Sequence, residues 1–391
     1  MGNDENIETA ETWMDDINPE EAPNDVIKYD ITSSPNDWNV STLISFIDSG
    51  SIIIPRYQRN YVWDKKRASK LIESLILGLP VPQLFLYQEE KNRFSILDGQ
   101  QRLLTIYFFY KMRFPKSGKR TIMREKYSEF NKFATEFLQD NEYFSEFSLF
   151  FGRNREGNNN PLQGCKYDTL GDNKINLDLA TIRCVIIKQN SPEEDDSSSV
   201  YEIFDRLNTG GVNLKPQQIR ANIYHGEFFE QLFELNKNSK WRELIKRPNR
   251  DDNSRDEELI LRMLAMLYFG HTNYSPSMTQ FLNRFSNKMK HETSENITFL
   301  INVFKGFLQL ITAEHIDNFF SDGRFSIGVA ESVFCASASN AWSGRNIDAL
   351  KPFTSEYVET VSAEIRETLQ VGSSQSDNVK TRLDKAVKLL K

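Results

Sequence analysis

The stretch FSILDGQQRLLTI, residues 94–106, decides the fold because it predicts a strand, a tight turn and a buried helix in direct succession. The pattern of residues 93–97 predicts the strand. The almost wholly apolar run from Leu103 to about Met112 predicts a helix buried on all sides. Asp98 stands where a helix N-cap is expected, and Gly99 permits a close backbone approach at the turn.

The sequence before this stretch predicts the rest of a small sheet. Residues 83–88 are expected to form a hairpin with residues 93–97, since the polar turn 89–92 separates them. Apolar residues at helical spacing predict a further helix after Asp64, which would cap it. A short helix and a strand are expected at 38–50 and 51–54.

The sequence after residue 120 predicts mainly helices, with one buried strand at 182–188. Pro216 suits the first position of a helix, and Ser254 with Glu257 predicts a capping box. The predicted fold class is α+β, a small mixed α/β domain followed by a larger helical one. The expected divisions are an acidic flexible tail, the α/β domain, a mainly helical domain and C-terminal helices, at 1–35, 36–120, 121–320 and 321–391.

Charge is distributed unevenly along the 391 residues, whose net charge is −7. Residues 1–35 carry ten acids against one lysine, whereas residues 51–120 carry fourteen Lys or Arg against five acids. A basic segment inside an acidic chain marks where an anion could dock, although a solvated surface explains the same charges.

Targeting signals give little information beyond an expectation of a cytoplasmic protein. The N-terminus is acidic where a signal peptide would be basic, and no apolar run reaches membrane-spanning length. Three widely separated cysteines predict no disulfide framework, which fits a reducing cytoplasm. They are Cys165, Cys184 and Cys335.

The turn at 98–102 is the first candidate site. Gln101 completes a capping-box pattern with Asp98, and Gly99 lets backbone amides at the helix start face an anion. Arg102 would add a charge-assisted hydrogen bond. Because Asp98 repels phosphate, we expect a divalent metal, Mg²⁺, to bridge the two. A well-capped core helix with Arg102 paired to an internal carboxylate explains the same residues.

Two further segments are candidates. The loop PRYQRNYVW, residues 55–63, combines arginines, a glutamine and aromatics that suit phosphate gripping and base stacking. A structural clamp is the alternative, and Trp63 is expected in the core. In FDRLNTGG, residues 204–211, the glycines would aim Asn208 and Thr209 outward, although an ordinary C-cap and loop has the same sequence.

These blocks resemble a known family. IPRYQRNYVW, FSILDGQQRLLTI and IFDRLNTGGVNLKPQQIRANIY are similar, in this order, to signature blocks of the GmrSD restriction endonuclease N-terminal domain family. The stretch Arg255–Arg262 is similar to a further helical block, so the resemblance covers roughly 38–310. It implies a ParB/sulfiredoxin-like fold with helices behind it, and NTP-hydrolysing, DNA-sensing components of phage-restriction systems.

The resemblance also implies site residues. Gly99–Arg102 matches a GxxR phosphate-binding turn, and Asn208 and Gly210 would form a lid over the pocket. The catalytic residues would be Asp98, Gln100, Gln101 and Arg102, with Asp98 also the metal ligand. Nucleotide phosphates would contact Tyr57, Gln58, Arg59, Gly99 and Arg102, and DNA would contact Arg56, Arg59 and Tyr61.

One departure concerns the HNH nuclease domain of many family members. The four histidines lie far apart and none is paired at ligand spacing, so we expect a stand-alone member without that domain. They are His225, His271, His291 and His315.

Three functional hypotheses follow. The leading one is an NTP-binding, NTP-hydrolysing sensor of a defence system. The second is a non-catalytic DNA-binding specificity subunit that recruits a separate nuclease. The third is an interaction protein whose acidic tail covers the site. Expected partners are a nucleotide, DNA and a nuclease or modification-system subunit but no membrane, with a homo-oligomer left open.

Overall fold

The computed structural model describes residues 31–53, 61–119, 135–152, 160–189, 198–207, 215–251, 254–270, 273–274, 277–369 and 373–390. The chain divides into two compact units, one comprising Lys28–Leu214 and the other built on Lys215–Lys391. The first unit holds the main sheet and the second is mainly helical, which confirms the predicted α+β class.

A five-stranded mixed sheet organises the first unit, in the order β1-β7-β3-β4-β2. Strands β3 and β4 form the predicted antiparallel hairpin, β2 runs parallel to β4, and β7 pairs with both β1 and β3. The strands are β1 Ile31–Asn39, β2 Ile52–Ile53, β3 Leu84–Glu90, β4 Arg93–Asp98 and β7 Thr181–Gln189; β5 Arg113–Pro115 and β6 Phe144–Glu146 form a separate pair.

Helix α3, Gln100–Tyr110, is the central element of this unit. Residues 103–109 are all buried, as its apolar composition predicts. The polar members of this run are satisfied internally, since Tyr107 Oη donates to Asp48 Oδ1 at 2.9 Å. The other helices are α1 Val40–Asp48, α2 Lys65–Ile76, α4 Thr135–Gln139, α5 Asn173–Leu179 and α6 Ser198–Leu207.

Three sequence-based boundaries in this unit differ from the structure. Residues 31–35, assigned to the tail, begin strand β1, and helix α1 starts at Val40 and not at 38. The unit ends at Leu214 and not at residue 120, because β7 completes the sheet from a distant part of the sequence. Residues 1–30 of the predicted tail and most of the helix predicted at 122–140 lie outside the described residues.

The second unit consists of helices α7 Pro216–Ile223, α8 Glu227–Leu235, α9 Ser239–Leu244, α10 Arg255–Phe269, α11 Met278–Lys290, α12 Ser294–Leu310, α13 Ala313–Ile316, α14 Ile327–Ser343, α15 Ser355–Glu364 and α16 Ser376–Leu389, with a hairpin of β8 Phe320–Ser321 and β9 Arg324–Phe325. Pro216 occupies the first turn of α7 as predicted. The capping box at Ser254 is wrong, because Ser254 has a φ of +59° and its side chain caps nothing.

No single helix within the described ranges is both long and apolar enough to cross a membrane. One pair bent by 100°, Ser294–Leu310 with Ala313–Phe319, meets the two criteria only jointly.

A buried ionic triad joins three helices of the second unit. Glu331 on α14 accepts hydrogen bonds from Arg262 Nε at 2.7 Å and from Arg382 Nη2 at 3.1 Å. All three side chains are almost fully buried. Burial alone would raise the pKa of Glu331, but the two guanidinium groups hold it below its ordinary value. The carboxylate is therefore the counter-ion of two buried cations.

We expect Glu331→Gln to destabilise the protein, because it leaves two buried guanidinium groups without their anion. The cost should be about 3–5 kcal/mol, as for other buried pairs broken on one side. Since the pKa of Glu331 is lowered in the fold, its contribution is present above the unfolded-state pKa and is lost as pH falls through the folded-state pKa.

The measurement is urea unfolding of both proteins at neutral and acidic pH. Exposed Glu359→Gln on α15 is the control, with an expected change within about 0.5 kcal/mol. Equal costs for the two variants would show that the triad contributes no stability.

Candidate functional site

The strand-to-helix corner at 98–102 requires glycine at its centre. Gly99 has φ +98° and ψ 8°, in the left-handed region that residues with a Cβ seldom adopt. A Cβ at this position would lie 2.2 Å from Leu84 Cδ2 and 3.1 Å from Arg102 Nη2. Backbone conformation and space therefore both exclude a side chain at residue 99.

Helix α3 begins without a side-chain cap. Gly99 occupies the N-cap position and no side chain there accepts a backbone N–H, so the prediction that Asp98 caps the helix is wrong. The positive φ of Gly99 turns the chain between Asp98 and the helix. The first intrahelical bond joins Leu103 N to Gly99 O at 2.9 Å. An α-helix leaves the N–H groups of its first turn without partners inside the helix, and these attract anions.

Arg102 lies beside this turn, and only part of its hydrogen-bonding capacity is used. Its Nη2 donates to Gln83 O and to Asp98 Oδ2, each at 2.9 Å. Its Nε is buried and has no hydrogen-bond partner within the described residues. The Arg102 side chain is 17% exposed and that of Asp98 is 49% exposed. The guanidinium is therefore held by a backbone carbonyl, while its acidic partner stands in solvent.

The corner is consequently not sealed inside the protein. An ion pair with one half-exposed member contributes only about 0–1 kcal/mol, so a phosphate can displace Asp98 from Arg102 at small cost. The alternative drawn from the sequence, a buried arginine neutralised by an internal carboxylate, does not describe this pair. The acid is local, four residues away, and accessible.

The corner does not fit a resident metal site. One oxygen of Asp98 already accepts from Arg102. The described part of the chain contains no group of three or more His, Cys, Asp or Glu side chains placed to hold a metal ion. The Mg²⁺ expected at Asp98 thus lacks companion protein ligands here.

The two glutamines of the motif differ in their surroundings. Gln101 Oε1 accepts from Val62 N at 2.8 Å, and its backbone carbonyl accepts from Thr105 Oγ1 at 2.7 Å. Gln101 therefore connects the first turn of α3 to the segment that precedes α2. Gln100 is half-buried, and its side chain makes no hydrogen bond with another residue that the structure describes. Of the two, Gln100 is the better placed to contact a ligand.

Tyr61 is a core residue, so its predicted contact with DNA is wrong. It is 3% exposed, its hydroxyl lies 2.8 Å from Thr105 Oγ1, and its ring packs edge-on against Phe108 and Phe114. Trp63, predicted to be core, is half-buried at the edge of the core cluster. Tyr61 thus anchors the end of its loop to α3.

The remaining predicted site residues lie outside the described residues: Arg56, Tyr57, Gln58, Arg59, Asn208 and Gly210. The described residues on either side of them adjoin the corner. Strand β2 pairs with β4 in parallel, so the chain at Ile53 runs in the direction of Asp98, and Val62 bonds to Gln101. Helix α6, which precedes residue 208, packs against β4.

Several groups at the corner are not signalled by the sequence. The carbonyl of Gln83 and the amide of Val62 act through backbone atoms, which any residue supplies. Leu84 limits the space at Gly99 only because the hairpin folds back on the turn.

A cavity of about 420 Å³ belongs to the other unit and contains none of the predicted site residues. Its lining includes Lys246, Arg247 and Phe320. Asp317 Oδ1 already accepts a hydrogen bond from Lys246 Nζ at 2.5 Å. The corner, which contains the predicted residues 98–102, is therefore the better candidate site.

We expect Gly99→Ala to destabilise the fold and to displace Arg102. Left-handed backbone costs about 1–2 kcal/mol for residues with a Cβ, and the clash with Leu84 adds to that cost. Gly78→Ala is the matched control, because Gly78 has φ +67° but open space around it. Urea unfolding should show a larger loss for Gly99→Ala, and equal losses would contradict crowding at the corner.

The comparisons with known proteins agree with the motifs. The family model of the GmrSD restriction endonuclease N-terminal domain matches residues 40–225, from helix α1 through the corner to the end of α7. A search of curated proteins finds no match. Residues 40–225 of this chain therefore belong to the GmrSD restriction endonuclease N-terminal domain family.

Proposed function

We propose that the corner at 98–102 binds the phosphates of a nucleoside triphosphate and hydrolyses it, in a DNA-sensing component of a restriction-type phage-defence system. The observation that carries this proposal is the Arg102 guanidinium beside the start of α3, which has no side-chain cap; its buried Nε has no hydrogen-bond partner in the part of the chain that the structure describes. The family match supports the restriction context. Three free cysteines suit a cytoplasmic site of action.

Two electrostatic interactions favour the binding of an anion at this position. The helix dipole contributes about 0.3–1 kcal/mol at an exposed N-terminus and up to about 2 when it is partly buried. A charge-assisted hydrogen bond from Arg102 contributes roughly 1.5–3 kcal/mol. Both act on the same ligand, because Arg102 belongs to the first turn of the helix.

Binding requires an exchange of partners at Arg102. The carbonyl of Gln83 keeps the guanidinium in place while a phosphate oxygen replaces Asp98 Oδ2. The released carboxylate then orients the attacking water together with Gln100. Water oxygen bonds to the γ-phosphorus and gives one proton to the Asp98 carboxylate, which later releases it to solvent. The bond to the bridging oxygen breaks, and a nucleoside diphosphate leaves with inorganic phosphate.

The undescribed segments complete the pocket in this proposal. Tyr57, Gln58 and Arg59 would approach the phosphates from the loop between Ile53 and Tyr61, and Asn208 with Gly210 would close over them. Arg56 and Arg59 would contact DNA. The described residues on either side support this arrangement, since they reach β4 and the first turn of α3.

We expect Arg102→Ala to weaken nucleotide binding by about ten- to a hundredfold, the equivalent of the hydrogen bond removed. Asp98→Asn should strengthen binding, because it removes the competing charge, but should abolish phosphate release. Calorimetric titration and phosphate-release assays with ATP, GTP and CTP, with and without Mg²⁺ and DNA, measure both effects.

Arg93→Ala is the control for these variants, because Arg93 lies on the same hairpin and its Nε is 4.0 Å from Glu89. It should bind and hydrolyse nucleotide as the unaltered protein does. Unchanged affinity in Arg102→Ala would remove the corner as the phosphate site.

A non-catalytic DNA-binding subunit that recruits a separate nuclease is the second candidate function. It is favoured by the engagement of the Gln101 side chain and carbonyl in contacts within the fold. Nucleotide binding without phosphate release under any of the conditions above would select this function.

A further inference from the structure

We propose that three exposed cations on helix α2 bind the phosphodiester backbone of DNA and lead it toward the corner. This cationic stripe consists of Lys66, Arg67 and Lys70, all exposed to solvent. The inference rests on the DNA-sensing part of the proposed function but not on nucleotide hydrolysis.

The stripe places three exposed cations on one helix, and no carboxylate among the described residues pairs with any of them. Five other cations of this unit form ion pairs of 2.7–3.0 Å. These pairs are Lys111–Asp48, Lys119–Glu142, Lys166–Glu146, Lys174–Asp178 and Arg183–Asp37. The stripe thus carries positive charge that the described fold does not neutralise.

Its place on the helix opposes the stability of α2. The positive end of the helix dipole lies at the N-terminus, where acids are favoured and cations are unfavourable by about 0.3–1 kcal/mol each. The first turn of α2 contains no acid and begins Lys65-Lys66-Arg67. Lys65 has a structural use, since its Nζ donates to Glu146 O at 2.9 Å. The Asp64 carboxylate at the N-cap accepts from Arg67 N at 2.7 Å and offsets part of this cost. Departures from local rules that are offset elsewhere are expected at functional sites.

The stripe adjoins the candidate site. Helix α2 starts three residues after Val62, whose amide donates to Gln101 in the first turn of α3. The Arg67 guanidinium lies 4.7 Å from the centroid of the Trp63 ring, which restrains this cation at the end nearest the corner. A polyanion lying along α2 would therefore reach α3.

The chemistry of the stripe fits nucleic acid better than a membrane. Lys66 and Lys70 are one helical turn apart, about 6 Å along the axis, which suits the regularly repeated charges of a phosphodiester chain. A membrane-binding helix inserts an apolar face between its cations and the lipid. The apolar residues of α2 are instead buried in the core: Ala68, Leu71, Ile72, Leu75 and Ile76.

The test compares two triple variants of the full chain with the same change in net charge. K66Q/R67Q/K70Q removes the stripe, and K91Q/K119Q/K174Q removes three lysines outside α2. Affinity for a short DNA duplex is measured by fluorescence anisotropy at several salt concentrations. The stripe variant should bind at least about tenfold more weakly at low salt. Its salt slope should fall by two to three, about one for each DNA phosphate that the variant no longer neutralises.

The control variant should keep the affinity and salt slope of the unaltered protein. Equal losses in both variants, or no DNA binding by the unaltered chain at any salt concentration, would overturn the proposal. Unchanged DNA affinity of the stripe variant would also overturn it. Loss of binding to vesicles with anionic lipid headgroups, alongside unchanged DNA affinity, would show that the stripe binds a membrane and not DNA. Thermal unfolding checks that the stripe variant is folded. The variant K66R/K70R keeps all three positive charges, so its DNA affinity should equal that of the unaltered protein.

Failure of this proposal is distinguishable from failure of the proposed catalytic site. The stripe variant should still bind nucleotide, and Arg102→Ala should still bind DNA with the normal salt slope. Salt-dependent DNA binding in a chain that releases no phosphate would support the stripe while removing the hydrolytic function.

Discussion

The passage of the chain through Gly99 is the constraint on which the first unit depends. Strand β4 must end at the surface and α3 must enter the core at once, because residues 103–109 are buried on every side. A positive φ makes that change of direction, and contact with Leu84 leaves no space for a side chain. The same turn exposes the start of α3. The backbone geometry that builds the core thus also creates the position at which we propose an anion binds.

The ion pair between Arg102 and Asp98 is weak enough to form and break reversibly. A guanidinium at a helix start would be unfavourable by itself, and Asp98 offsets its charge when no ligand is bound. The pair is weak because Asp98 is half-exposed, so it restrains Arg102 without holding it permanently. The hydrogen bond to Gln83 O fixes the arginine from the protein side. The proposed exchange of Asp98 for a phosphate would then need no movement of the helix.

Much of the sheet could be predicted from the sequence because its signals are local. The hairpin, the turn at Gly99 and the apolar α3 follow from alternation, glycine and composition within a short stretch. Strand β1 could not be predicted, since its residues are polar and mostly exposed, and its pairing with β7 depends on a segment about 150 residues away. No local pattern carries such information.

The errors at individual residues have the same origin. Tyrosine is common in nucleic-acid contacts, but Tyr61 is buried in the core, where it bonds to the hydroxyl of Thr105 and packs against two aromatic rings. Asp98 has the residue type of an N-cap, but the backbone turn at Gly99 removes it from the helix start. Residue type and spacing predicted the strand, turn and helix. The role of Tyr61 depends on neighbours distant in sequence, and that of Asp98 on the backbone conformation of Gly99.

The uneven charge of the chain would determine how DNA approaches it. With a net charge of −7, the protein as a whole repels a polyanion. Screening limits that repulsion to about 8 Å at physiological ionic strength, so binding depends on charges near the contact. The cations on α2, which no carboxylate among the described residues pairs, would attract phosphate within this range. In the proposed arrangement the DNA backbone lies along α2, which directs its phosphates toward the corner.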